Sequence, residues 1–375
     1  MSIGFVSTYP PTQCGLATFT AATRAAIASR PAGGRTGVVQ IVDGHERSRR
    51  AEVMGWLHTS DSASRRRAAA ALRNFDVTVV QHEFGIYGGR DGEHVVDLLD
   101  ELTTPRVVVL HTVLSAPTAH QRAVLEQVAA RADRLVVMSG IARARLVEIH
   151  GIDPADVLVI PHGATPNLGP VPTGRTALTW GLIGPGKGIE WAIDAFATLR
   201  DLDPPGRYVV TGQTHPKVAE LHGEAYKDSL RARAASSAAA GVVTFDDRYC
   251  DEPGLLRLIR GADVVLLPYD STEQVTSGVL VEALASGKPV VATAFPHAVE
   301  LLSGGAGVVV AHRDPQALGA ALRAVLTDQV LRARLTAAAL QLAPSLFWSA
   351  VADRYVALAT ELEVPGLRIA ARAAR

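Results

Sequence analysis

The sequence predicts an α/β protein built from two facing Rossmann-like domains, each with a parallel sheet covered by helices. Short runs of Val, Ile and Leu without polar alternation recur along the 375 residues, and such runs are typical of strands buried on both faces. Ala-rich helical stretches separate these runs, and the alternation favours doubly wound parallel sheets. The pattern stops at a proline- and glycine-rich segment near residues 166–176 and then begins again, which predicts two domains.

The restart of the pattern sets the predicted boundaries. Residues 1–165 form the N-terminal domain, 166–176 the linker and 177–342 the C-terminal domain. The segment 343–375 is predicted to return to the N-terminal domain through an amphipathic helix, because the apolar residues of Ser345–Leu362 fall close to one face. Packing of this helix on the C-terminal domain is the alternative.

Each domain is predicted to contain six strands. Those of the N-terminal domain are Ile3–Ser7, Gly37–Val42, Val77–Gln81, Arg106–Leu110, Leu135–Met138 and Val157–Ile160. Those of the C-terminal domain are Thr179–Ile183, Arg207–Thr211, Gly241–Phe245, Ala262–Pro268, Pro289–Thr293 and Gly307–Val310. Open α/β sheets bind ligands beyond the carboxyl ends of their strands, so the loops after strands are the expected location of functional residues, on one cleft between the domains.

Composition excludes several classes of protein. Lys+Arg and Asp+Glu both number 37, so no net positive charge favours nucleic acid. Cys14 and Cys250 are far apart and have no metal-binding spacing, which indicates a reduced compartment. No signal peptide and no apolar run of about 18 residues is present, so we predict a cytoplasmic protein without a transmembrane segment. The arginine clusters 47–50 and 65–67 are either solvated surface or a patch for an anionic acceptor or membrane, so peripheral membrane contact stays open.

Polar side chains and one glycine follow predicted strands of the N-terminal domain. Gly15 stands where a strand turns into a helix, which indicates either close approach of an anionic ligand or an ordinary turn. His82 and Glu83 follow the third predicted strand, and His111 follows the fourth. A lone loop histidine is usually structural, but side chains that emerge together at one sheet edge can bind sugar hydroxyls or exchange protons.

The C-terminal domain carries a glycine-rich loop and a helix start with phosphate-binding character. Lys187, within Gly184–Gly188, is a point charge suited to a phosphate, although the spacing is not that of a Walker A loop. Thr276 and Ser277 are good N-cap residues for a helix that begins at Gly278. The N-terminus of such a helix presents unpaired amide groups to a diphosphate.

Glu282 lies about one turn into this helix, with Val281 and Ala283 on either side. A carboxylate at this place can accept hydrogen bonds from both hydroxyls of a ribose. Solvent exposure is the alternative for a single helical glutamate. The apolar neighbours instead predict a partly buried carboxylate that needs a partner.

Over nearly its whole length the chain resembles the retaining glycosyltransferases of family 4, which have the glycosyltransferase-B fold. The resemblance rests on the motifs CGLATF, VIPHG, GLIGPGKGIEWAIDAF, ADVVLLPY and VLVEALASGKPVVAT. It implies a nucleotide-sugar donor held mainly by the C-terminal domain and a carbohydrate or other hydroxyl acceptor held mainly by the N-terminal domain. Carried over by position, Lys187 contacts the donor diphosphate, Glu282 the ribose and His111 the transferred sugar. Gly15 approaches the donor phosphate or the acceptor.

Two positions depart from the family pattern. The first acid of the Glu-x7-Glu motif falls on Gln274, which can bind a sugar hydroxyl but carries no charge. The arginine that usually precedes the lysine falls on Leu182. Arg248 and His215 are the predicted replacements for its charge. These departures leave the donor sugar and the details of the mechanism open.

The resemblance predicts transfer of a hexose with retention of configuration, with mannose from GDP-mannose as first choice and UDP-glucose as second. His111, Lys187 and Gln274 are the predicted catalytic residues, and His82 and Glu83 the predicted acceptor contacts. Neither a metal nor a cofactor is predicted. The alternatives are an epimerase or inverting transferase of the same fold and a non-catalytic nucleotide-sugar-binding protein.

Overall fold

The computed structural model describes residues 1–44, 46–169, 174–248 and 250–363, so residues 170–173 of the predicted linker lie outside the described ranges. Backbone contacts divide the chain into two compact units. The first unit contains Met1–Gly163 and the last described helix, and the second unit contains Ala164–Phe347. Each unit is a Rossmann-like α/β domain with its own parallel sheet, as the sequence predicts.

The first unit has a seven-stranded parallel sheet. Its strands are β1 (Ser2–Ser7), β2 (Arg35–Ile41), β3 (Val53–Leu57), β4 (Val77–His82), β5 (Arg106–Leu110), β6 (Arg134–Val137) and β7 (Val157–Val159). Its helices, in chain order, are α1 (Gly15–Ala28), α2 (Ser62–Leu72), α3 (His94–Glu101), α4 (Ala119–Arg131) and α5 (Gly140–His150).

The second unit has a six-stranded parallel sheet. Its strands are β8 (Thr176–Trp180), β9 (Arg207–Thr211), β10 (Val243–Asp246), β11 (Val264–Leu267), β12 (Val290–Thr293) and β13 (Gly307–Val310). Its helices are α6 (Ile189–Ala197), α7 (Pro216–His222), α8 (Ala225–Ser236), α9 (Glu252–Gly261), α10 (Gly278–Ala285), α11 (Pro296–Leu302), α12 (Pro315–Thr327) and α13 (Gln329–Leu346).

Both sheets have an order of strands that reverses once. The order is β3-β2-β1-β4-β5-β6-β7 in the first sheet and β10-β9-β8-β11-β12-β13 in the second. The chain therefore changes direction across the sheet between β1 and β4, and again between β8 and β11. Doubly wound sheets bind ligands beyond the carboxyl ends of the two strands at such a reversal. In each unit this position is occupied by loops that the sequence marks as functional.

The central strand β11 of the second sheet buries side chains on both faces. Val265 and Leu267 of β11 belong to one apolar cluster, and Val264 and Leu266 belong to the cluster on the opposite face. All four side chains have no exposed surface. Because successive side chains of a strand point to opposite faces, a sheet covered on both sides needs apolar residues at every position. This explains the continuous apolar runs in the sequence.

The final helix, α14 (Trp348–Glu363), returns to the first unit, as predicted. Its Val351, Tyr355 and Leu358 are buried in one cluster with side chains of β1 and α1. The helix begins later than predicted, because Ser345 and Leu346 end α13 and the backbone at Phe347 is extended, with φ −69° and ψ 142°. Among the described residues, no helix combines the length and apolar character needed to cross a bilayer.

Two strand predictions are wrong. The prediction Thr179–Ile183 is displaced from β8, because Gly181 has φ +125° and ends the strand. Ile183 makes only an isolated bridge. Strand β3 is absent from the prediction, since its run is short, contains Gly55 and lies at the sheet edge with alternating burial.

Gly163 lies against the indole ring of Trp348 at the start of α14. A Cβ atom at Gly163 would stand 2.0 Å from Cε3 of Trp348, closer than any real contact of a Cβ atom. We expect Gly163→Ala to lower the free energy of unfolding of the first unit by about 1–3 kcal/mol, the usual cost of overpacking. The measurement is the midpoint of urea unfolding followed by far-UV circular dichroism.

Gly55→Ala is the matched control, because no atom lies within 4 Å of a Cβ at that position. We expect its midpoint to stay close to that of the wild type. Equal midpoints for Gly163→Ala and Gly55→Ala would contradict the close packing of α14 on residue 163.

Candidate functional site

Two loops meet at the strand reversal of the second unit. Residues 181–188 follow β8 and residues 268–277 follow β11. The amide of Asp270 donates to the carbonyl of Gly186 at 2.9 Å, which joins the two loops. Gly188 has φ +64°, and a Cβ there would stand 1.7 Å from the carbonyl oxygen of Pro268. The glycine-rich sequence of the first loop therefore permits its close approach to the second.

Lys187 lies between these loops with its ammonium over the ring of Tyr269, 4.4 Å from the ring centroid. The side chain is partly buried, and this burial lowers the pKa of Lys187. Among the described residues no carboxylate forms an ion pair with it. A partly desolvated cation that lacks a counter-charge is suited to bind an anion.

The side chain of Tyr269 interacts with each of the other residues of this site. It is 1% exposed, and burial is the main cause that raises its pKa. The side chain of Ser277 lowers that pKa and the charge of Glu282 raises it, so both groups lie within interaction range of the Tyr269 hydroxyl. Lys187 covers the face of the same ring. The second unit thus brings together three residues that the sequence predicts, around a tyrosine that it does not.

Helix α10 begins at the predicted residue and has the predicted cap. Ser277 is its N-cap, and its Oγ accepts the amide of Leu280 at 3.3 Å. The amide of Ser277 is bound to Nδ1 of His297 at 2.9 Å. The amides of Gly278 and Val279 precede the first possible intrahelical acceptors. Together with the helix dipole they provide a place for an anionic group.

Thr276 and Gln274 lie in the loop before α10. Oγ1 of Thr276 is buried and has no hydrogen-bond partner among the described residues. The side-chain amide of Gln274 donates to the backbone carbonyl of Thr276 at 3.2 Å, and the carbonyl of Gln274 accepts the amide of His297 at 3.2 Å. Gln274 therefore stabilises its own loop in this structure, and its contact with a sugar stays a prediction.

Glu282 faces Trp180 at the end of β8. Nε1 of Trp180 donates to Oε2 of Glu282 at 3.0 Å. Burial raises the pKa of Glu282 to about 7, against the opposing effect of this hydrogen bond. The partly buried carboxylate with a partner that the sequence predicts is therefore present, and the partner is an indole.

The two predicted replacements for the missing arginine differ in their surroundings. Arg248 is 82% exposed, and its guanidinium donates to both carboxylate oxygens of Asp246, at 2.9 Å and 2.7 Å. His215 caps α7 by accepting the amide of Lys217. Burial, then the charges of Lys217 and Lys187, lower the pKa of His215. The charge of Lys187 thus acts on the pKa of His215, whereas Arg248 is already paired with Asp246. That either residue replaces the missing arginine stays a prediction.

In the first unit, Gly15 is the first residue of α1, after the N-cap Cys14. Sγ of Cys14 accepts the amide of Ala17 at 3.4 Å. No atom lies within 4 Å of a Cβ at Gly15, so the backbone faces open space. The start of α1 is therefore accessible to a ligand, as the first of the two alternatives for this loop requires.

His111 follows β5 beside the same helix. Its Nε2 donates to Oε1 of Gln81 at 2.7 Å, which leaves Nδ1 as an acceptor. Burial, then the charges of His162 and His82, lower the pKa of His111 to about 3. Phe19 packs against this ring in a T-shaped arrangement at a centroid distance of 5.0 Å. Burial thus favours the neutral imidazole at physiological pH, and Gln81 holds its Nε2; its contact with a sugar stays a prediction.

His82 and Glu83 adopt different environments at the end of β4. His82 has no exposed surface, and neither ring nitrogen has a hydrogen-bond partner among the described residues. Burial lowers the pKa of His82 to about 4. Glu83 is partly exposed and accepts Oγ1 of Thr112 at 2.5 Å. An acceptor contact therefore suits Glu83, while the burial of His82 argues against direct contact by that side chain.

Two of the quoted motifs, VIPHG and ADVVLLPY, contain His162 and Tyr269, but the motifs assign no role to five residues that the structure adds to these surroundings. They are Trp180, Tyr269 and His297 in the second unit and His162 and Trp348 in the first. Trp180 is the last residue of β8 and His162 follows β7, positions at strand ends that could have drawn attention to them. In the part of the chain that the structure describes, no cluster of three or more His, Cys, Asp or Glu side chains could hold a metal ion.

Two family models match the chain. The model for Glycosyltransferase Family 4 matches residues 21–168, and the model for Glycosyl transferases group 1 matches residues 174–328. Together the matches extend over most of the sequence. The site residues predicted from the sequence lie within them, apart from Gly15.

The relatives that the chain resembles in sequence are named as glycosyltransferases or mannosyltransferases. The chain is 30% identical over 257 residues to D-inositol 3-phosphate glycosyltransferase of Thermomonospora curvata, a match that covers 63% of this chain and 58% of the relative. It is 28% identical over 247 residues to phosphatidyl-myo-inositol mannosyltransferase of Mycobacterium leprae, covering 62% of this chain and 60% of the relative. The matches thus span less than two thirds of the length of these relatives.

Solved structures show the same fold. Anabaena HepE, in complex with UDP and glucose, superposes with a TM-score of 0.76 at 16% identity, covering 96% of this chain and 100% of that one. Sucrose-phosphate synthase of Thermosynechococcus elongatus superposes with a TM-score of 0.75 at 18% identity, covering 96% and 99%. At these identities the likeness shows the glycosyltransferase-B fold alone.

Glu282 is expected to lower the stability of the folded protein at neutral and alkaline pH. Its pKa is raised from 4.5 to about 7 in the folded state, so the unfolded chain binds fewer protons between these values and stability falls as pH rises through them. Because one pKa unit corresponds to about 1.4 kcal/mol, we expect Glu282→Gln to stabilise the protein by about 1–3 kcal/mol at pH 8. At pH 4 the difference should disappear.

The measurement is the thermal unfolding midpoint of the wild type and Glu282→Gln from pH 4 to pH 8. Glu220→Gln, on the exposed surface of α7, is the control and should leave the midpoint close to the wild-type value at both ends of the range. If the midpoints of Glu282→Gln and the wild type differ by the same amount at every pH in this range, burial does not destabilise the ionised carboxylate.

Proposed function

The chain belongs to glycosyltransferase family 4 and is a glycosyltransferase, and from this premise we propose that it transfers a hexose from a nucleotide diphosphate sugar to a hydroxyl acceptor. The transfer retains the configuration of the anomeric carbon. The second unit binds the donor, and the first unit supplies contacts to the acceptor and the transferred sugar.

The observation that carries the proposal is the pairing of Lys187 with the start of α10. The lysine is partly buried and makes no ion pair with a described carboxylate, and the amides of Gly278 and Val279 are unused by the helix. Lys187 lies over the ring of Tyr269, and the side chain of Ser277, the N-cap of α10, acts on the hydroxyl of Tyr269. One cation and two amides near a shared tyrosine suit the charge of a diphosphate.

Glu282 completes the proposed donor site. One of its oxygens is bound by Trp180, and the other is available to accept hydroxyl groups. Its ionised form is favoured by hydroxyl donors, so ribose would stabilise the charge that burial disfavours. The raised pKa of Glu282 in the unliganded protein supports this role.

GDP-mannose is the first proposed donor and UDP-glucose the second. The name of the Mycobacterium leprae relative, a mannosyltransferase, supports mannose. The complex of Anabaena HepE with UDP and glucose supports UDP-glucose as the second donor to test. The relatives named D-inositol 3-phosphate glycosyltransferase make a phosphorylated inositol the first acceptor to test.

The proposed reaction is a same-face displacement. The bond between the anomeric carbon and the diphosphate oxygen breaks, a bond to the acceptor oxygen forms, and the acceptor proton passes to a leaving phosphate oxygen. Lys187 and the amides at the start of α10 stabilise the charge that develops on the diphosphate. His111 positions the sugar through Nδ1, which accepts a sugar hydroxyl. These steps require no metal, so activity should persist in the presence of a chelator.

We expect nucleotide binding to depend on Lys187. A thermal-shift screen of GDP-, UDP- and ADP-sugars should identify a donor that raises the unfolding midpoint, because a ligand stabilises the state that binds it. Lys187→Ala should weaken binding of this donor by about 10–100-fold, the usual effect of a lost charge-assisted hydrogen bond.

Lys217→Ala is the control for general charge, since Lys217 is exposed and lies on α7 nearby. It should bind the donor almost as tightly as the wild type. Turnover by the wild type that is lost in Lys187→Ala supports an enzyme over a binding protein, and NMR of the product distinguishes retention from inversion. Equal affinities of the wild type and Lys187→Ala would contradict the proposed site.

We also expect His111 to contribute no inflection to the rate between pH 5 and pH 9. Its pKa of about 3 keeps the imidazole neutral over this range. His111→Ala should lower kcat by a factor that is the same at each pH, and His111→Gln should recover part of the loss through its amide. The measurement is kcat as a function of pH for the wild type and the two variants; a factor that changes with pH would mean that His111 exchanges protons.

A further inference from the structure

Trp180 is a rigid neighbour of the donor site. It is the last residue of β8, is 5% exposed and belongs to the buried cluster that includes Leu178 and Leu280. Its ring is therefore held by packing on the sheet. The indole nitrogen is a donor only and keeps its proton at every pH used in biochemistry.

The indole N–H is aimed at one oxygen of Glu282. The distance from Nε1 to Oε2 is 3.0 Å, which is the length of a normal hydrogen bond. A carboxylate has about four lone-pair sites, so this bond restrains the orientation of the group and leaves Oε1 to other donors. Such an arrangement selects one rotamer of Glu282 before any ligand arrives.

Few other groups compete for this carboxylate. Among the described residues, the charged group whose field raises the pKa of Glu282 is Glu252, at the start of α9. The charge of Glu282 in turn raises the pKa of Tyr269, which lies in the loop after β11. Neither stabilises a negative charge on Glu282. The hydrogen bond from Trp180 is the interaction that favours the ionised form in the unliganded protein.

We propose that Trp180 is a positioning residue for the donor: its N–H orients Glu282 and favours its ionised form, so that Oε1 receives the ribose hydroxyls. This inference rests on the proposed function, because it assigns a role to Trp180 in nucleotide-sugar binding. Trp180 itself need not touch the ligand. A purely structural tryptophan would instead support the fold without influencing the charge of Glu282.

The first experiment requires no ligand. The chain has four tryptophans, so ¹⁵N-labelled protein gives four indole signals that can be followed from pH 5 to pH 9. The Trp180 signal, assigned by its absence in Trp180→Phe, should shift with a midpoint near the Glu282 pKa of about 7. The shift should vanish in Glu282→Gln. If none of the four indole signals titrates with a midpoint near 7, the inference is overturned even if Trp180→Phe fails to fold.

The second experiment measures donor affinity as a function of pH. GDP-mannose and UDP-glucose are suitable probes, because their esterified diphosphates do not titrate between pH 6 and pH 9. Trp180→Phe removes the N–H but keeps an aromatic ring. Loss of one hydrogen bond to a charged group should raise the binding midpoint by about one pH unit. The affinity ratio of wild type to variant should therefore fall from about ten at pH 6 to about one at pH 9.

Trp191→Phe is the matched control. Trp191 also donates its indole N–H to a carboxylate in the same unit, that of Asp270, at 3.1 Å and 3.3 Å. This variant should leave the pH midpoint of binding unchanged. A midpoint shift of equal size in both variants would overturn the specific role of Trp180.

The outcomes separate the inference from the proposed function. If the wild type binds neither probe, the proposed function fails, and the assignment of Trp180 fails with it. If the wild type binds and Trp180→Phe weakens binding by the same factor at every pH, the proposed function stands and the inference is overturned. A loss of affinity that alkaline pH restores supports both.

Discussion

Burial of both faces of each parallel sheet is the constraint on which the rest of the structure depends. Strands such as β11 carry apolar side chains on both sides, so polar groups cannot be placed along them without loss of hydration. Polar residues therefore collect beyond the carboxyl ends. In each sheet the order of strands reverses once, which opens a place between two strands for the loops that bear these residues.

The same burial sets the charges of the candidate residues. It lowers the pKa of Lys187 and raises that of Glu282 to about 7, while His111 is held neutral with a pKa near 3. A cation and a carboxylate in such surroundings reduce the stability of the empty protein and gain most from a ligand that supplies the missing partner. A diphosphate and a ribose supply the two kinds of partner that these residues lack.

The sequence predicts the fold well because apolar periodicity reports burial directly. It places the start of α10 at Gly278 and names Thr276 and Ser277 as cap residues, of which Ser277 is the N-cap, because capping depends on local chemistry. It fails at β3, where a short edge strand contains glycine, and at β8, where the backbone of Gly181 decides the end. Local patterns report neither feature.

Contacts between distant residues are harder to predict from the sequence than local structure. Trp180 and Glu282 are separated by 102 residues, and only the pairing of β8 with β11 and the return of the chain through α10 bring them together. The complete burial of the His82 side chain likewise depends on packing from other elements. The motifs thus locate the loops that form the site, while the partners of each titratable group come from the tertiary structure.

The account is tested most directly by a crystal structure of the protein with GDP-mannose or UDP-glucose bound. It predicts that the diphosphate oxygens lie within hydrogen-bond distance of the Gly278 and Val279 amides and of Nζ of Lys187. The ribose hydroxyls should contact Oε1 of Glu282 while Trp180 retains Oε2. A nucleotide sugar bound at full occupancy elsewhere, with these groups unoccupied, would contradict the account.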